Sequence, residues 1–385
     1  MINFLKAFTP QELIERGAPQ VFTTSSKGWV TKLVDWFENH PDGPQRKLYP
    51  AQSDMVFIRL IAYALSIICQ EAQEAWERRW ILFAQGEFLD IAAANNSTFR
   101  LKAQPAVTTI EFTLAEALAT DLFIAAGTKV AIDKLTSTLL HFQTNEDVLI
   151  LAGQTSGSVT ATVNHAGFVG NGIAIGRLVY LVEPVEGLSV SNTDISNGGA
   201  DEEEDQSLRL RALNAHDRIS KAGGEASYKE QVLAYSSAIA AVKVVRPQEG
   251  HIWIYVLLET GAPSQTILDD IDLWMAPLEK RPQGDTLTSK PPEAVTYTIA
   301  GTVRYRGNPT LIQADIEAEL NKVASGWAKR LAPYLAKKAL DKVGGAVEGV
   351  EDIDLDIVGP ANRQLAGQEF PVLIDIDLTM EAANA

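Results

Sequence analysis

Residues 198–211 read GGADEEEDQSLRLR, and the organisation of the whole chain turns on how this stretch is taken. Two glycines interrupt the chain, acids run unbroken from Asp201 to Asp205, and leucines then alternate with arginines. Carboxylates in the first turn of a helix complement its unsatisfied N–H groups, by roughly 0.3–1 kcal/mol each. The same carboxylates could instead hold a cation or act as acid and base. We read the stretch as a helix start. Gly198 and Gly199 permit the turn, Asp201 is the N-cap, and Glu202, Glu203, Glu204 and Asp205 occupy the first turn. Leu208, Ala212, Ala215 and Ile219 then share one helical face. Arg209 and Arg211 are expected as exposed guanidinium groups, able to pair with carboxylates inside or between subunits.

Upstream the period is two. In VTTIEFTL, Ile110, Phe112 and Leu114 alternate with Thr109, Glu111 and Thr113, the pattern of a half-buried strand. Short strand-like runs follow in FIAAGTKVAI, LLHFQT, VLILAG and SVTATV, so residues 105–196 are expected to form a small all-β domain. Gly170, Asn171, Gly172 and Gly176 then imitate a dinucleotide loop. They run into the strand-like Leu178 to Val182 rather than opening a helix, which favours tight turns over a nucleotide site.

Downstream, an Ala222-Gly223-Gly224 break separates the acidic helix from a second one carrying Tyr228, Val232, Ser236 and Ile239. The strands AVKVV and HIWIYVLLE follow, then a helix from about Gln265 to Glu279. Residues 197–290 thus read as a central α/β domain. In residues 291–385, Val295, Tyr297, Ile299, Val303 and Tyr305 alternate with polar neighbours. A helix bearing Ile316, Leu320, Val323, Trp327, Leu331 and Leu335 comes next, with a bend expected at Pro333. Two strands close the chain: Ile353, Leu355 and Ile357 alternate with Asp352, Asp354 and Asp356, and Ile374, Ile376 and Leu378 alternate with Asp375 and Asp377. This β-α-β-β domain is expected to present its aspartates to solvent rather than to a metal.

Residues 1–104 complete an α+β multidomain chain as an N-terminal helical bundle module. From Ser53, a run without Gly or Pro continues to about Phe83, after a shorter helix from Trp29 to Glu38. Arg59, Tyr63, Ser66, Gln70, Gln73 and Glu77 form a narrow polar stripe; Met55, Phe57, Ile58, Ile61, Leu65 and Ile68 lie off it. A helix apolar over most of its circumference needs several neighbours. Its uncharged run is short for a membrane span and Arg59 interrupts it, so a bundle completed by a partner's helices is expected.

The 385 residues carry 33 basic and 49 acidic side chains, a net charge of −16, which disfavours a nucleic-acid surface. Cys69 is the single cysteine, so no intrachain disulfide or Cys-based metal site is expected. The start, MINFLKAFTPQEL, lacks a secretory apolar core, and a reducing cytoplasm is the expected place of synthesis. His40, His141, His165, His216 and His251 are scattered without metal spacing, and neither a GxSxG elbow nor a Cys/His signature occurs. No catalytic, cofactor or metal residue is assigned, and a structural role is expected.

At GGADEEEDQSLRLRA the sequence resembles the baseplate J-like family, wedge proteins of contractile phage tails and related injection machines. Three further segments agree in order. GFVGNGIAIG is similar to the family's glycine–asparagine turn. EKRPQGDTLTSKPPEAVTYTI is similar to its Arg-Pro (Arg281, Pro282), then Pro-Pro (ending at Pro292), then strand segment, although QGDTLTSK is looser than the family's compact sequence. GEFLDIAAANNSTFR resembles its Leu-Asp with a downstream Arg. KRLAPYLAKKALDKVGG lengthens the region after the C-terminal helix. The resemblance implies a non-enzymatic building block that joins a ring around a central spike and relays conformational change to the sheath. The implied partners are a second copy in the wedge and neighbouring wedges, a smaller tail protein at the N-terminal helices, a lysozyme-like wedge protein, the sheath, and the hub. The implied location is the baseplate of a virion, tailocin or injection particle, assembled in the bacterial cytoplasm. A particle-associated glycan or cell-wall hydrolase using Glu203 with Asp205, or a surface adhesin, are the alternatives.

Overall fold

The computed structural model describes residues 10–219, 224–278 and 280–383, and the fold mixes α-helices with several sheets. Residues 1–9 of the expected start, Ala222 and Gly223 of the expected break, Glu279, and the side chain of Ile219 lie outside the described residues. The chain divides into two compact units, Met1–Arg100 with Glu204–Ala215, and Leu101–Glu203 with His216–Ala385.

The first unit is helical. It contains α1 (Pro10–Arg16), α2 (Ser26–Asn39), α3 (Ser53–Glu77), α4 (Gly86–Ala94) and α5 (Asp205–Leu213). Ser25 caps α2 by accepting a hydrogen bond from the Gly28 N–H. Val30, Leu33, Val34 and Phe37 of α2 pack on Leu48, Met55 and Ile58, and a second small core joins Ala84, Leu89, Ala92 and Ala93 to Leu208 and Ala212. The α3 helix ends at Glu77, earlier than expected, and its cap position is Gln52 rather than Ser53.

The polar stripe of α3 is split: Arg59, Tyr63 and Gln70 are exposed, Glu77 is half-buried, and Ser66 and Gln73 are buried. Ser66 is 3 % and Gln73 8 % exposed, whereas Phe57, Leu60 and Ile68 are each more than 60 % exposed. The bonds of Gln73 account for its own burial. Its Oε1 accepts from the N–H groups of Val21 (2.9 Å) and Phe22 (3.2 Å), and its Nε2 donates to the Pro19 carbonyl (3.0 Å). An extended segment needs partners for its backbone groups, and a glutamine offers both a donor and an acceptor.

In the second unit, β1 (Pro105–Leu114), β2 (Leu122–Ile124), β3 (Lys129–Ala131), β4 (Phe142–Thr144), β5 (Val148–Ile150), β6 (Ser156–Ala166), β7 (Tyr180–Leu181) and β8 (Leu188–Asn192) follow one another. Six of them form one sheet in the order β7-β3-β4-β6-β1-β8, and its end strands β7 and β8 approach each other, giving a near-barrel. Ile110, Phe112 and Phe142 fill it with no exposed surface. The alternation of β1 sets which face is inside, because a one-residue slip would turn every apolar side chain outward.

After α6 (Ala215–Ile219) come α7 (Glu225–Leu233), β9 (Ile239–Gln248), β10 (His251–Leu258), α8 (Gln265–Met275) and β11 (Thr286–Lys290). Ser236 and Ile239, expected on the helical face of Tyr228 and Val232, lie beyond the end of α7. β9 and β10 are antiparallel, and β11, from the segment read as loose, lies parallel to β10 on its other side.

The last sheet has the order β13-β12-β14, from β12 (Glu293–Tyr305), β13 (Val350–Val358) and β14 (Glu369–Ala382), with α9 (Pro309–Ala328) and α10 (Lys337–Gly344) covering one face. The expected bend at Pro333 is instead a break between two helices. Proline lacks the N–H a helix interior needs and disfavours helical geometry in the residue before it, and Ala332 adopts φ +50°. The expected face of Ile374, Ile376 and Leu378 is also corrected. The β12–β14 register jumps from Tyr297↔Leu373 to Thr298↔Asp375, so Ile374 is a bulge residue and 67 % exposed. Asp352, Asp354 and Asp356 do face solvent, and Lys337 Nζ reaches Asp354 at 2.8 Å and Asp356 at 3.5 Å.

Candidate functional site

The glycine motifs separated in sequence come together in the second unit. Asn171 joins them: its Nδ2 donates to the Gly199 carbonyl (2.7 Å) while its Oδ1 accepts from the Gly199 N–H (2.8 Å). Gly199 has no room for a side chain, since a Cβ would stand 2.5 Å from the Gly167 carbonyl oxygen. Gly198 and Gly172 adopt φ +83° and +78°, which glycine alone enters at little cost. Gly170 is buried where a Cβ would meet Val163 at 2.8 Å. The loop is therefore a zipped turn whose polar groups are spent on the chain's own backbone.

Of the acidic run expected in the first turn of the helix only Asp205 lies there, and Asp201 is not its cap. Residues 201–204 precede the helix, α5 begins at Asp205, and Glu204 takes the cap position without a side-chain bond. Asp201 reaches away, its Oδ1 accepting from the Phe168 N–H (3.0 Å). Glu203 is 4 % exposed and its Oε2 accepts from the Leu101 N–H (3.0 Å), while its own N–H donates to the Leu101 carbonyl (3.0 Å). The backbone binds these carboxylates before helix geometry can use them. Glu203 is thus placed as a buried acceptor, not as an accessible acid or base.

In the first unit the arginines are the organising groups, and one expectation about them is overturned. Arg209, expected exposed, is 7 % exposed. Its Nε donates to the Ile81 carbonyl (3.0 Å), Nη2 to the Ala84 carbonyl (2.7 Å) and Nη1 to Gln206 Oε1 (3.0 Å). The segment between α3 and α4 carries carbonyls with no helical partner, and the planar guanidinium fork satisfies two of them. Arg211 is half-buried and donates to the Phe99 carbonyl (2.8 Å).

Asp90 and Arg100, the family-like Leu-Asp and downstream Arg, are bonded to each other at 2.7 Å, and Arg100 Nη2 also meets Asp205 Oδ1 at 2.7 Å. The second oxygen of Asp205 accepts from the Gly86 N–H (2.9 Å). The Gly86 N–H bond, then Arg100 overcoming the opposing effect of burial, holds the Asp205 carboxyl below its usual range. Burial opposes the Arg100 charge, and the bonds to Asp90 and Asp205 outweigh it. Spacing gave no sign of this clamp, because 105 residues separate Arg100 from Asp205.

Arg281 Nε donates to the Ala276 carbonyl (3.1 Å) and Nη1 to the Asp285 carbonyl, closing the turn in which the Pro282 carbonyl accepts from the Asp285 N–H (3.3 Å). Pro292 is buried at the start of β12. Nearby, the Tyr228 hydroxyl donates to Asp285 Oδ2 (2.5 Å); sequence periodicity marked Tyr228 only as a core residue.

The helix residues divide. Met55 and Ile58 are buried, Leu65 is half-buried, and Phe57 (64 %), Ile61 (51 %) and Ile68 (63 %) stand in solvent with Val56, Leu60 and Ile67 beside them. By length and composition alone α3 is long and apolar enough to cross a membrane. Among the described residues no group of three or more His, Cys, Asp or Glu could hold a metal ion.

Residues 109–199 match the family described as the Baseplate J-like protein barrel domain, a span that coincides with most of the near-barrel. Among solved structures, a chain of the anti-feeding prophage (AFP) baseplate, from a cryo-EM structure with six-fold symmetrisation, is similar at 11 % identity and a TM-score of 0.40. That likeness covers 92 % of this chain and 100 % of the other. No curated protein matches the chain.

Proposed function

We propose that this chain, which carries a baseplate J-like barrel domain, is a structural component of the baseplate of a contractile tail or injection particle, acting as a wedge protein. What supports the wedge role is the outer face of α3, where Phe57, Ile61 and Ile68 are exposed although the helix is apolar enough to be a core element. Such a face suits a heteromeric bundle with helices of a smaller tail protein or a second copy, in ridge-and-groove packing. In this reading residues 1–104 form the wedge bundle module, 105–196 the β domain, 197–290 a central domain and 291–385 the part that meets neighbouring copies. The lysozyme-like wedge protein, sheath and hub are the remaining proposed neighbours, and a rearrangement of the ring would relay contact at the cell surface to the sheath. No catalytic role is proposed, and assembly in the bacterial cytoplasm belongs to the same reading.

The test places Phe57→Glu with Ile61→Glu in the chain within the particle-producing cell. Purified variant protein should melt as the unmodified chain does, while electron micrographs should lack assembled baseplates. Normal particles from cells deleted for this chain would sink the proposal.

A further inference from the structure

A cavity of about 790 Å³ opens between α9, β14 and residues 259–262, all in the second unit. Its walls differ in chemistry. On the helix side the small side chains of Ala324, Ser325 and Ala328 leave the space. The polar groups there are turned back on the helix, Asn321 Nδ2 to the Glu317 carbonyl (2.8 Å) and Ser325 Oγ to the Asn321 carbonyl (2.7 Å). On the strand side Val372, Leu373 and the bulged Ile374 supply apolar surface. Glu259, Glu317 and Asp375 add carboxylates to the lining; Glu259 is paired with Lys329, Glu317 Oε1 accepts from Gln313 Nε2 (2.8 Å) and Asp375 Oδ1 from the Ile376 N–H (2.9 Å), which leaves the latter two without a cationic partner among the described residues.

The strand side is also a sheet edge. β14 is hydrogen-bonded to β12 on one side, and among the described residues no strand pairs with its other side. Alternate backbone groups of an edge strand point outward and can accept an added strand. Proline is tolerated in such an edge strand, and Pro371 is the third residue of β14. Pro371, the bulge at Ile374 and the bond of the Ile376 N–H to Asp375 Oδ1 (2.9 Å) leave the stretch from Asp377 onward as the regular part of the edge, beginning where the cavity ends.

We propose that this groove docks an extended peptide segment of a partner protein, in which an apolar residue fills the space over Ala324 and Ala328 and lysines or arginines answer Glu317 and Asp375. The segment continues as an added strand along β14 from Asp377. Charge complementarity selects the occupant, since an acidic segment would bring its carboxylates against those already there. The small helix-side residues select an apolar anchor in preference to a second helix packed lengthwise, because the opening is bounded by the 259–262 segment. The surface is separate from the exposed face of α3, so it stands or falls independently of the wedge reading.

The test uses the full chain and fluorescently labelled synthetic peptides read by anisotropy: Lys-Val-Lys-Ile-Lys-Val-Lys, its counterpart with glutamate in place of lysine, and the lysine peptide N-methylated at alternate residues. The lysine peptide is expected to bind at least tenfold more tightly than the other two. Ser325→Trp, which fills the groove from an exposed position, and Asp375→Lys, which reverses a rim charge, should each weaken it at least fivefold with an unchanged melting temperature. Asp354→Lys on the far strand of the same sheet should weaken it less than twofold. If Ser325→Trp fails to fold, Asp375→Lys decides alone. Equal binding of the lysine and glutamate peptides, no binding of either, or equal losses from Asp375→Lys and Asp354→Lys would overturn the proposal.

Discussion

Arg209 Nη2 donates to the main-chain carbonyl oxygen of Ala84 at 2.7 Å, and this bond ties α5 to the segment that leads into α4. Ala84 is 1 % and Arg209 7 % exposed, so water does not replace the bond when it is lost. The arginine is therefore a determinant of folding before it can be one of assembly.

Arg209→Ala should lower the unfolding free energy of the purified chain by about 2–4 kcal/mol, since it leaves the Ile81 and Ala84 carbonyls without donors. Arg209→Lys should recover only part of the loss, because a single ammonium cannot reproduce the planar fork. Urea denaturation measures both. An unchanged midpoint for Arg209→Ala would return the residue to an assembly role.

Asp205 gives a pH dependence with a definite sign. Its folded carboxyl titrates below the ordinary aspartate value of 3.8, with the Gly86 N–H bond the first cause and Arg100 supporting it. The unfolded chain then binds the proton more readily, so this stabilisation is present above the ordinary value and is lost as pH falls through the folded one. Asp205→Asn should flatten part of the acid limb of a melting-temperature profile below about pH 4 and leave its slope between about pH 6 and 8 unaltered. An identical acid limb in both proteins would refute the clamp.

Tyr297 is 1 % exposed, and its hydroxyl has no hydrogen-bond partner among the described residues. Burial pushes the phenol up to about 12, so the neutral form is held at every ordinary pH. Removing a buried hydroxyl that forms no bond relieves its desolvation, and Tyr297→Phe should be neutral or stabilise by up to about 1 kcal/mol. Calorimetry should register an unchanged or higher melting temperature; a loss above about 1 kcal/mol would mean the hydroxyl is bonded.

Gly199→Ala brings a methyl to 2.5 Å from the Gly167 carbonyl oxygen, a backbone atom that cannot swing aside. The substitution should cost about 2 kcal/mol or more and loosen the bonds to Asn171. Gly172→Ala, where φ is +78° but the space is open, should cost about 1 kcal/mol. Chemical denaturation of the pair separates steric conflict from backbone strain; equal losses would remove the steric account.

By itself the sequence determined the elements with a clean period and one buried face. Ile110, Phe112 and Leu114 of β1, Tyr297, Ile299 and Val303 of β12, and Ile316 and Leu320 of α9 are buried where their spacing put them. Alternation or a 3.6-residue repeat is local information, and a chain that must bury one face has little choice about which. It also marked Gly170–Gly172, Gly198–Gly199, Asp90 and Arg100 as special. Only the tertiary structure decided what those residues do. Whether Arg209 faces solvent depends on carbonyls more than a hundred positions away, Glu203 is drawn out of the helix by the Leu101 N–H, and Gln73 is buried within an otherwise largely exposed polar stripe because residues 19–22 need its amide. Backbone groups without a partner in their own element must find one elsewhere, and that demand is set by which segments meet, which no local period records.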